Sequence, residues 1–447
     1  MAELRYDKTG RLLFTREMKD EYTILVPQML PIHFEFICNA LRLDGYRVEV
    51  INTTHRGIVE QGLRHIHNDI CFPAMLVIGQ MIDALKSGKY DVHRTALMIT
   101  QTGGGCRASN YIHLLRKGLK KAGFGFVPVI SLNLSGLEKN EGFKLTLDMI
   151  RRMVYGVVYG DLLMWLSNRC RAYEAEKGET DRLLRKWIDR ISTEFRDTSR
   201  LRKKVIRENM RQIVRDFAGI RTTEEKKPRV GIVGEIYVKY APLGNNNLER
   251  FLESEGTEIV VPGLLDFLIF KTDNRIEDVN LYGDIYIKKI LAGLLKKFLV
   301  GYQDLMRGCI ELEGDGRFPV PARFEDIKAM AREFLGVGNK MGEGWLLTGE
   351  MLELVHSGVS NIVCTQPFGC LPNHIVGKGM IRAIRERHPT ANIVAIDYDP
   401  GTTSVNQENR LKLMLSTAWS TLSDATAPHK NSGKETTQPL LSHGNVV

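Results

Sequence analysis

The chain has 447 residues, 43% of them hydrophobic, enough apolar material for two or three domains with cores of their own. Its 62 Lys and Arg against 53 Asp and Glu leave a formal charge of +9, a mild excess that suits an anionic ligand such as a nucleotide or CoA ester, or a solvated surface. The sequence has no compact basic stripe interleaved with aromatics, no apolar run of membrane-span length and no apolar leader core after Met1-Ala-Glu-Leu-Arg-Tyr-Asp-Lys8, which speaks against nucleic-acid, membrane and secreted classes and points to a cytoplasmic protein.

Residues 1–20 are polar and read as a loose arm or short hairpin. Strand patterns over 22–26 and 46–51 flank a helical pattern over 32–43; a helix from 72 to about 85, a strand over 96–99, a helix over 111–121 and a strand over 127–131 follow. Alternation at this spacing predicts a parallel sheet covered by helices on both faces, an N-terminal Rossmann-like domain over 1–140. Residues 141–221 form a helical segment without strand signal, in which the charges of 180–218 are the wet faces of amphipathic helices.

The polar run Thr222-Thr-Glu-Glu-Lys-Lys-Pro228 opens a second Rossmann-like domain over 222–420. It begins with the apolar strand Arg229-Val-Gly-Ile-Val-Gly-Glu235, then a helix over 247–255, a strand over 258–261, and helices over 282–306, 324–335 and 351–357. A short strand over 361–363, a helix over 375–387, a strand over 392–397 and a last helix complete it. Residues 421–447 have few large apolar side chains and are expected to be a disordered tail. The predicted fold class is therefore α/β, two Rossmann-like parallel-sheet domains joined by a helical segment; the two halves look broadly alike.

Three cysteines occupy equivalent places in this pattern. Cys71 lies in Asn68-Asp-Ile-Cys71-Phe-Pro-Ala74, Cys106 in Thr100-Gln-Thr-Gly-Gly-Gly-Cys106-Arg-Ala-Ser-Asn110, and Cys370 in Cys364-Thr-Gln-Pro-Phe-Gly-Cys370-Leu-Pro-Asn-His374. Each is at a loop-to-helix junction beside Gly or Pro, where open α/β sheets bind ligands and helix N-terminal N–H groups favour anions. In a reducing compartment, grouped cysteines more often mean metal or catalysis than disulfides. The expectation is that Cys71, Cys106 and Cys370 converge on one metal cluster, with Gly103, Gly104 and Gly105 allowing close backbone approach and Asn110 shaping the surroundings.

Alternatives stay open at this level. Cys364, placed at a strand's carboxyl end, competes with Cys370 as the third ligand. Zinc is the rival metal, with His374 as the fourth ligand; a redox disulfide is weaker, because no Cys-x-x-Cys pair exists. Cys38, Cys170 and Cys309 sit within helical patterns and read as small buried hydrophobes. No Gly-Lys-Ser/Thr follows Gly103–Gly105, and neither Gly231-Ile-Val-Gly234 nor Gly342-Glu-Gly344 completes a dinucleotide fingerprint. Glu235, Glu343 and Glu350 read as polar rim residues, and His65 and His67 as candidate donors behind Cys71.

At Asn68–Ala74, Gly103–Tyr111, Gly342–Glu350 and Pro367–His374 the sequence resembles the 2-hydroxyacyl-CoA dehydratase/benzoyl-CoA reductase superfamily. It is most similar to the uncharacterised domain associated with acyl-CoA dehydratase activases, over roughly residues 20–415. The resemblance implies Rossmann-like domains around a buried iron–sulfur cluster, usually [4Fe–4S], and a low-potential electron delivered by an ATP-dependent activator of the ASKHA fold. Cys71, Cys106 and Cys370 match the family's cluster cysteines, and Cys364 is an extra thiol that would partly supply a double-cubane cluster.

In the dehydratases the reduced cluster forms a ketyl radical from a 2-hydroxyacyl-CoA and expels hydroxide. The characterised dehydratases are heterodimers with a distinct substrate subunit, so the resemblance leaves open a homodimer, a heterodimer or a non-catalytic cluster carrier. No CoA pocket is identifiable, and with no ATPase half in this sequence the activator is expected to act in trans.

Overall fold

The structure, a computed structural model, describes residues 2–101, 104–133, 138–283 and 285–426. After an antiparallel bridge between Tyr6 and Leu12, the first unit runs α1 (Arg16–Glu21), β1 (Thr23–Pro27), α2 (Pro31–Leu43), β2 (Arg47–Ile51), α3 (Gly57–His65), α4 (Phe72–Lys86), β3 (Thr95–Thr100), α5 (Tyr111–Lys121) and β4 (Val129–Leu132). Three long helices follow: α6 (Leu147–Tyr173), α7 (Glu179–Glu194) and α8 (Lys203–Ala218). The second unit opens with β5 (Arg229–Gly234), α9 (Ile236–Tyr240), α10 (Pro242–Asn245), α11 (Leu248–Ser254) and β6 (Glu258–Val260). It continues through α12 (Leu264–Tyr282), α13 (Tyr286–Glu313), α14 (Phe324–Arg332), α15 (Leu346–His356) and β7 (Asn361–Pro367), and ends with α16 (Ile381–Arg387), β8 (Asn392–Tyr398) and α17 (Ser404–Thr426).

Both sheets are four-stranded and wholly parallel, in the orders β2-β1-β3-β4 and β6-β5-β7-β8. The two halves therefore share one topology, each laying its first strand beside its third. Central β3 and β7 are buried almost end to end, whereas edge strand β2 alternates, as expected when helices cover both faces of the inner strands. In each sheet the chain order reverses between the first and third strands, which opens a crevice at the carboxyl ends of β1 and β3 and of β5 and β7.

The helical segment is an internal layer rather than a spacer. Asp161 of α6, fully buried, stands 2.8 Å from His33 Nε2 on α2 and accepts from the backbone N–H groups of Leu264 and Leu265 at 2.8 Å each, so one carboxylate ties α2 to the start of α12. Trp165, also on α6, donates from Nε1 to Val261 O at 2.9 Å. The main core runs without a break through both sheets and all three helices. Among the described residues no helix is long and apolar enough to cross a membrane.

Several elements differ from expectation; among them α3, α9 and α10 were not foreseen, and β7 runs on to Pro367. Helix α12 was not foreseen, and the helix expected over 282–306 is α13, starting at Tyr286. In the second half of α12 the inward face is polar: Lys328 on α14 donates to Asp273 at 2.6 Å and to Glu277 at 2.7 Å, and Lys296 on α13 to Asp273 at 2.7 Å, so the hydrophobic periodicity of its first half does not continue. The helix expected over 375–387 is broken into a π turn (Asn373–Gly377), a 3₁₀ turn (Lys378–Met380) and α16, because the Asn373 side chain folds inward to donate to Thr365 O at 2.6 Å. Finally, α17 extends through Thr426, so the stretch expected to be disordered from Thr421 begins as helix; residues 427–447 lie outside the described residues.

Asp266, on the first turn of α12, accepts from Gln303 Nε2 at 2.5 Å and is buried. Burial, and then the charges of Asp161 and Glu350, push its carboxyl well above the ordinary carboxylate range. The folded state thus holds a proton that the unfolded chain releases. The associated stability is complete below the unfolded carboxyl pKa and is lost as pH rises toward the folded one, with a slope of up to roughly 1.4 kcal/mol per pH unit. Denaturant titrations between pH 5 and 8 should show Asp266→Asn gaining on the wild type as pH rises; parallel curves would contradict this account.

Candidate functional site

Cys71, Cys106 and Cys370 come from three different junctions and meet at one place. Cys71 is the N-cap residue of α4, Cys106 follows β3 and precedes the turn Arg107–Asn110, and Cys370 follows β7. Cys106 and Cys370 lie beyond β3 and β7, the third strand of each sheet, and the loops past both strands meet at Gly342, which stands against Pro372 and the Cys106 sulfur. Phe72 N donates to Phe368 O at 2.9 Å, which pins the Cys370 loop onto the start of α4. Arg107 Nη1 donates to Asp69 O at 2.5 Å, which joins the Cys106 turn to the Cys71 loop.

Glycines make the approach possible. Gly369 has φ +72°, and a Cβ there would stand 2.9 Å from Cys71 Cα. Gly342 has φ +61°; its Cβ would be 3.1 Å from Pro372 Cγ and 3.9 Å from Cys106 Sγ. Gly105 faces Met341, whose sulfur would lie 2.6 Å from an added Cβ, whereas Gly104 (φ +94°) faces open space. Gly103 lies outside the described residues.

The surroundings are more acidic and more deeply buried than the sequence suggested. Glu235, Glu343 and Glu350 are not on the rim: all three are buried. Glu235 follows β5 and caps α9 by accepting from Val238 N at 3.0 Å, and Glu343 accepts from Ile236 N at 3.0 Å, so the two carboxyls share one neighbourhood. Burial, reinforced by Glu343, raises the Glu235 pKa to about 8, which keeps a proton on this carboxyl at neutral pH. Glu350 stands behind them in a buried ion pair with Lys239, at 2.9 and 3.1 Å. Lys271 donates to Gly342 O at 3.3 Å, and burial lowers its pKa.

Burial also governs the thiols. It pushes Cys106 up to about 11 and raises Cys71 and Cys370, so in the metal-free protein all three carry protons at neutral pH. Tyr111, on the first turn of α5, places its hydroxyl 2.9 Å from Cys71 Sγ. Sequence reasoning missed Tyr111; the only signal was its position directly after the Cys106 motif. Asn110, by contrast, is exposed and its side chain makes no capping bond.

Cys364 lies apart from the three. Strand β7 continues to Pro367, so Cys364 sits inside the strand rather than at its end, in register with Val233 and Ala395. It is fully buried among apolar residues such as Val233, Leu352 and Ile384, with its sulfur 3.6 Å from Asn373 Oδ1. His374 is exposed on the π turn. His65 is bonded to Gln61 O at 2.8 Å, and His67 is 3.4 Å from Asp69 at the surface. Cys38, Cys170 and Cys309 are buried at distant sites, as expected of small hydrophobes.

The donor set suits a thiophilic metal group. Two buried sulfurs and a half-buried one, backbone held close by glycine and a proton-bearing carboxyl nearby are the parts such a group needs. Among the described residues, no three His, Cys, Asp or Glu side chains close around a single ion. Exposed Met341, Phe368, Leu371 and Ile375 lie on the loops that form the site and give it an apolar border. Compared with known proteins, the chain matches no family model and no curated protein sequence.

Proposed function

We propose that this chain is an iron–sulfur reductase or dehydratase component that receives a low-potential electron from an ATP-dependent activator of the ASKHA fold, acting in trans, and passes it to a substrate. The observation that carries this reading is that the loops bearing Cys71, Cys106 and Cys370, two of them at the carboxyl ends of strands from different parallel sheets, pack against one another. When bound, a [4Fe–4S] cluster would supply one-electron chemistry, with a fourth corner free of protein thiolate.

The chain's own residues supply the rest. The three cysteines would hold such a group as thiolates, each giving up its proton on loading. Tyr111 directs its hydroxyl at the Cys71 sulfur, and Glu235 keeps a proton within the site. Burial between the two units limits water, which tunes potential. A 2-hydroxyacyl-CoA is the substrate class the sequence resemblance favours.

The test is iron and sulfide analysis with a visible spectrum on protein purified without oxygen. About four iron and four sulfide per chain are expected, and roughly twice that would indicate a double cubane. Protein that stays iron-free after anaerobic reconstitution, or holds zinc in stoichiometric amount, would overturn the proposal. A cluster whose spectrum is unchanged by acyl-CoA esters would reduce the role to electron carriage.

A further inference from the structure

The first half of α13 presents an apolar face to solvent. Ile287, Ile290, Leu291, Leu294, Leu295 and Phe298 are all exposed, Leu291 by 60% and Leu294 by 63%, while the opposite side of the helix buries Ala292 and Leu299. Tyr282 and Tyr286 extend the patch toward the end of α12, each about two-thirds exposed. Together these side chains offer on the order of 1,000 Å² of apolar surface, more than a monomer's largest patch of ~300–600 Å² and enough for the ~800 Å² per partner of a stable interface.

The spacing has a form. Ile287, Leu291, Leu294 and Phe298 follow steps of four, three and four residues, the seam of a helix that packs lengthwise on another helix. Ile290 and Leu295 broaden the seam, and Lys288 and Lys297 border it on opposite sides. In a two-fold antiparallel pairing centred between Leu291 and Leu294, Lys288 of one copy comes opposite Leu295 of the other, and Lys297 opposite Ile290. The lysine stems then cover apolar surface and no like charges meet.

The lysines also weigh against a lipid surface as the occupant. Lys289 and Lys296 donate to Asn280 and Asp273 at 2.7 Å each, so at least two of the four lysines between 286 and 298 are engaged within the molecule. An interfacial membrane helix keeps its cations for headgroups.

We infer that this chain forms a homodimer in which the first halves of two α13 helices pack across a two-fold axis. The inference stands independently of the cluster, because it uses none of the cysteine site. Sedimentation equilibrium of the full chain should give twice the 50.7 kDa chain mass at micromolar concentration. Leu291→Glu with Leu294→Glu should weaken association by roughly a hundredfold or more while leaving the far-ultraviolet dichroism of the protein unchanged.

Because dimerisation links to folding, the wild-type melting temperature should rise with protein concentration, an independent measurement that needs no variant. A wild type that stays monomeric overturns the inference, as does a dimer that survives both substitutions in folded protein. A monomer that co-sediments with phosphatidylserine–phosphatidylcholine vesicles would assign the face to a membrane instead.

Discussion

Cys71→Ser, Cys106→Ser and Cys370→Ser should each leave the anaerobically purified protein with less than half its iron, whereas Cys364→Ser should keep all of it. The contrast between Cys364 and Cys370 is the sharpest, since only five residues separate them and the sequence left the choice between them open. Cys370 follows β7 on the loop that meets Cys71 and Cys106; Cys364 is two strand residues short of Gln366, with its sulfur in a separate apolar core. A serine hydroxyl in that core is poorly solvated, so Cys364→Ser should lower stability by about 1–3 kcal/mol without touching the metal content. Iron determined per folded chain separates the two effects. Full iron in the three site variants would remove the basis for the cluster. Iron lost only from Cys364→Ser would move the ligand onto the strand and require β7 to end earlier than it does.

The same pair of cysteines shows what could be read from the sequence and what could not. The β-branched run beginning at Asn361 announced a buried strand, and the Pro and Gly residues after it announced a loop, so the strand–loop–helix order was legible. The strand's length was not. Gln366 and Pro367 carry weak strand signals and are held in the ladder by pairing with Asp397 and Tyr398 of β8, a long-range constraint no local window contains. Helix α12 was hidden for a related reason. Asp273, Asn274 and Glu277 are buried and read as surface residues until Lys328 and Lys296 arrive from two other helices to pair with the acids.

The acids of the site follow the same logic. Glu235 and Glu343 looked like rim residues because nothing local says that β5 and the Gly342 loop close on each other. What the sequence did convey was the repeated placement of cysteine at loop-to-helix junctions, since glycine, proline and cysteine are conspicuous and their consequences are local. Contacts between the loops gave that placement its meaning, by joining the three junctions to one another.

Gly369→Ala should cost the protein its metal without removing any ligand. Gly369 has φ +72°, a conformation that an L side chain adopts at roughly 1–2 kcal/mol, and the added methyl would lie 2.9 Å from Cys71 Cα and 3.3 Å from Cys71 N. Both neighbours are backbone at the head of α4, so they cannot swing aside as the end of a flexible side chain could. Gly88→Ala is the control: its φ is +73° and an added Cβ would meet nothing within 4 Å, so it carries the conformational cost alone. Both variants should lose roughly 1–2 kcal/mol from the backbone term, and Gly369→Ala should lose a further increment from the collision, relieved only by moving the Cys370 loop away from Cys71.

That movement would stretch or break the 2.9 Å bond from Phe72 N to Phe368 O and separate two of the three sulfurs. Denaturant midpoints measure the stability difference, and iron per chain reads the separation directly. Normal iron in Gly88→Ala with depleted iron in Gly369→Ala would show that the site needs this close contact between two loops. Equal and full iron in both would mean that Cys71 and Cys370 do not hold a common metal group, however near their loops lie.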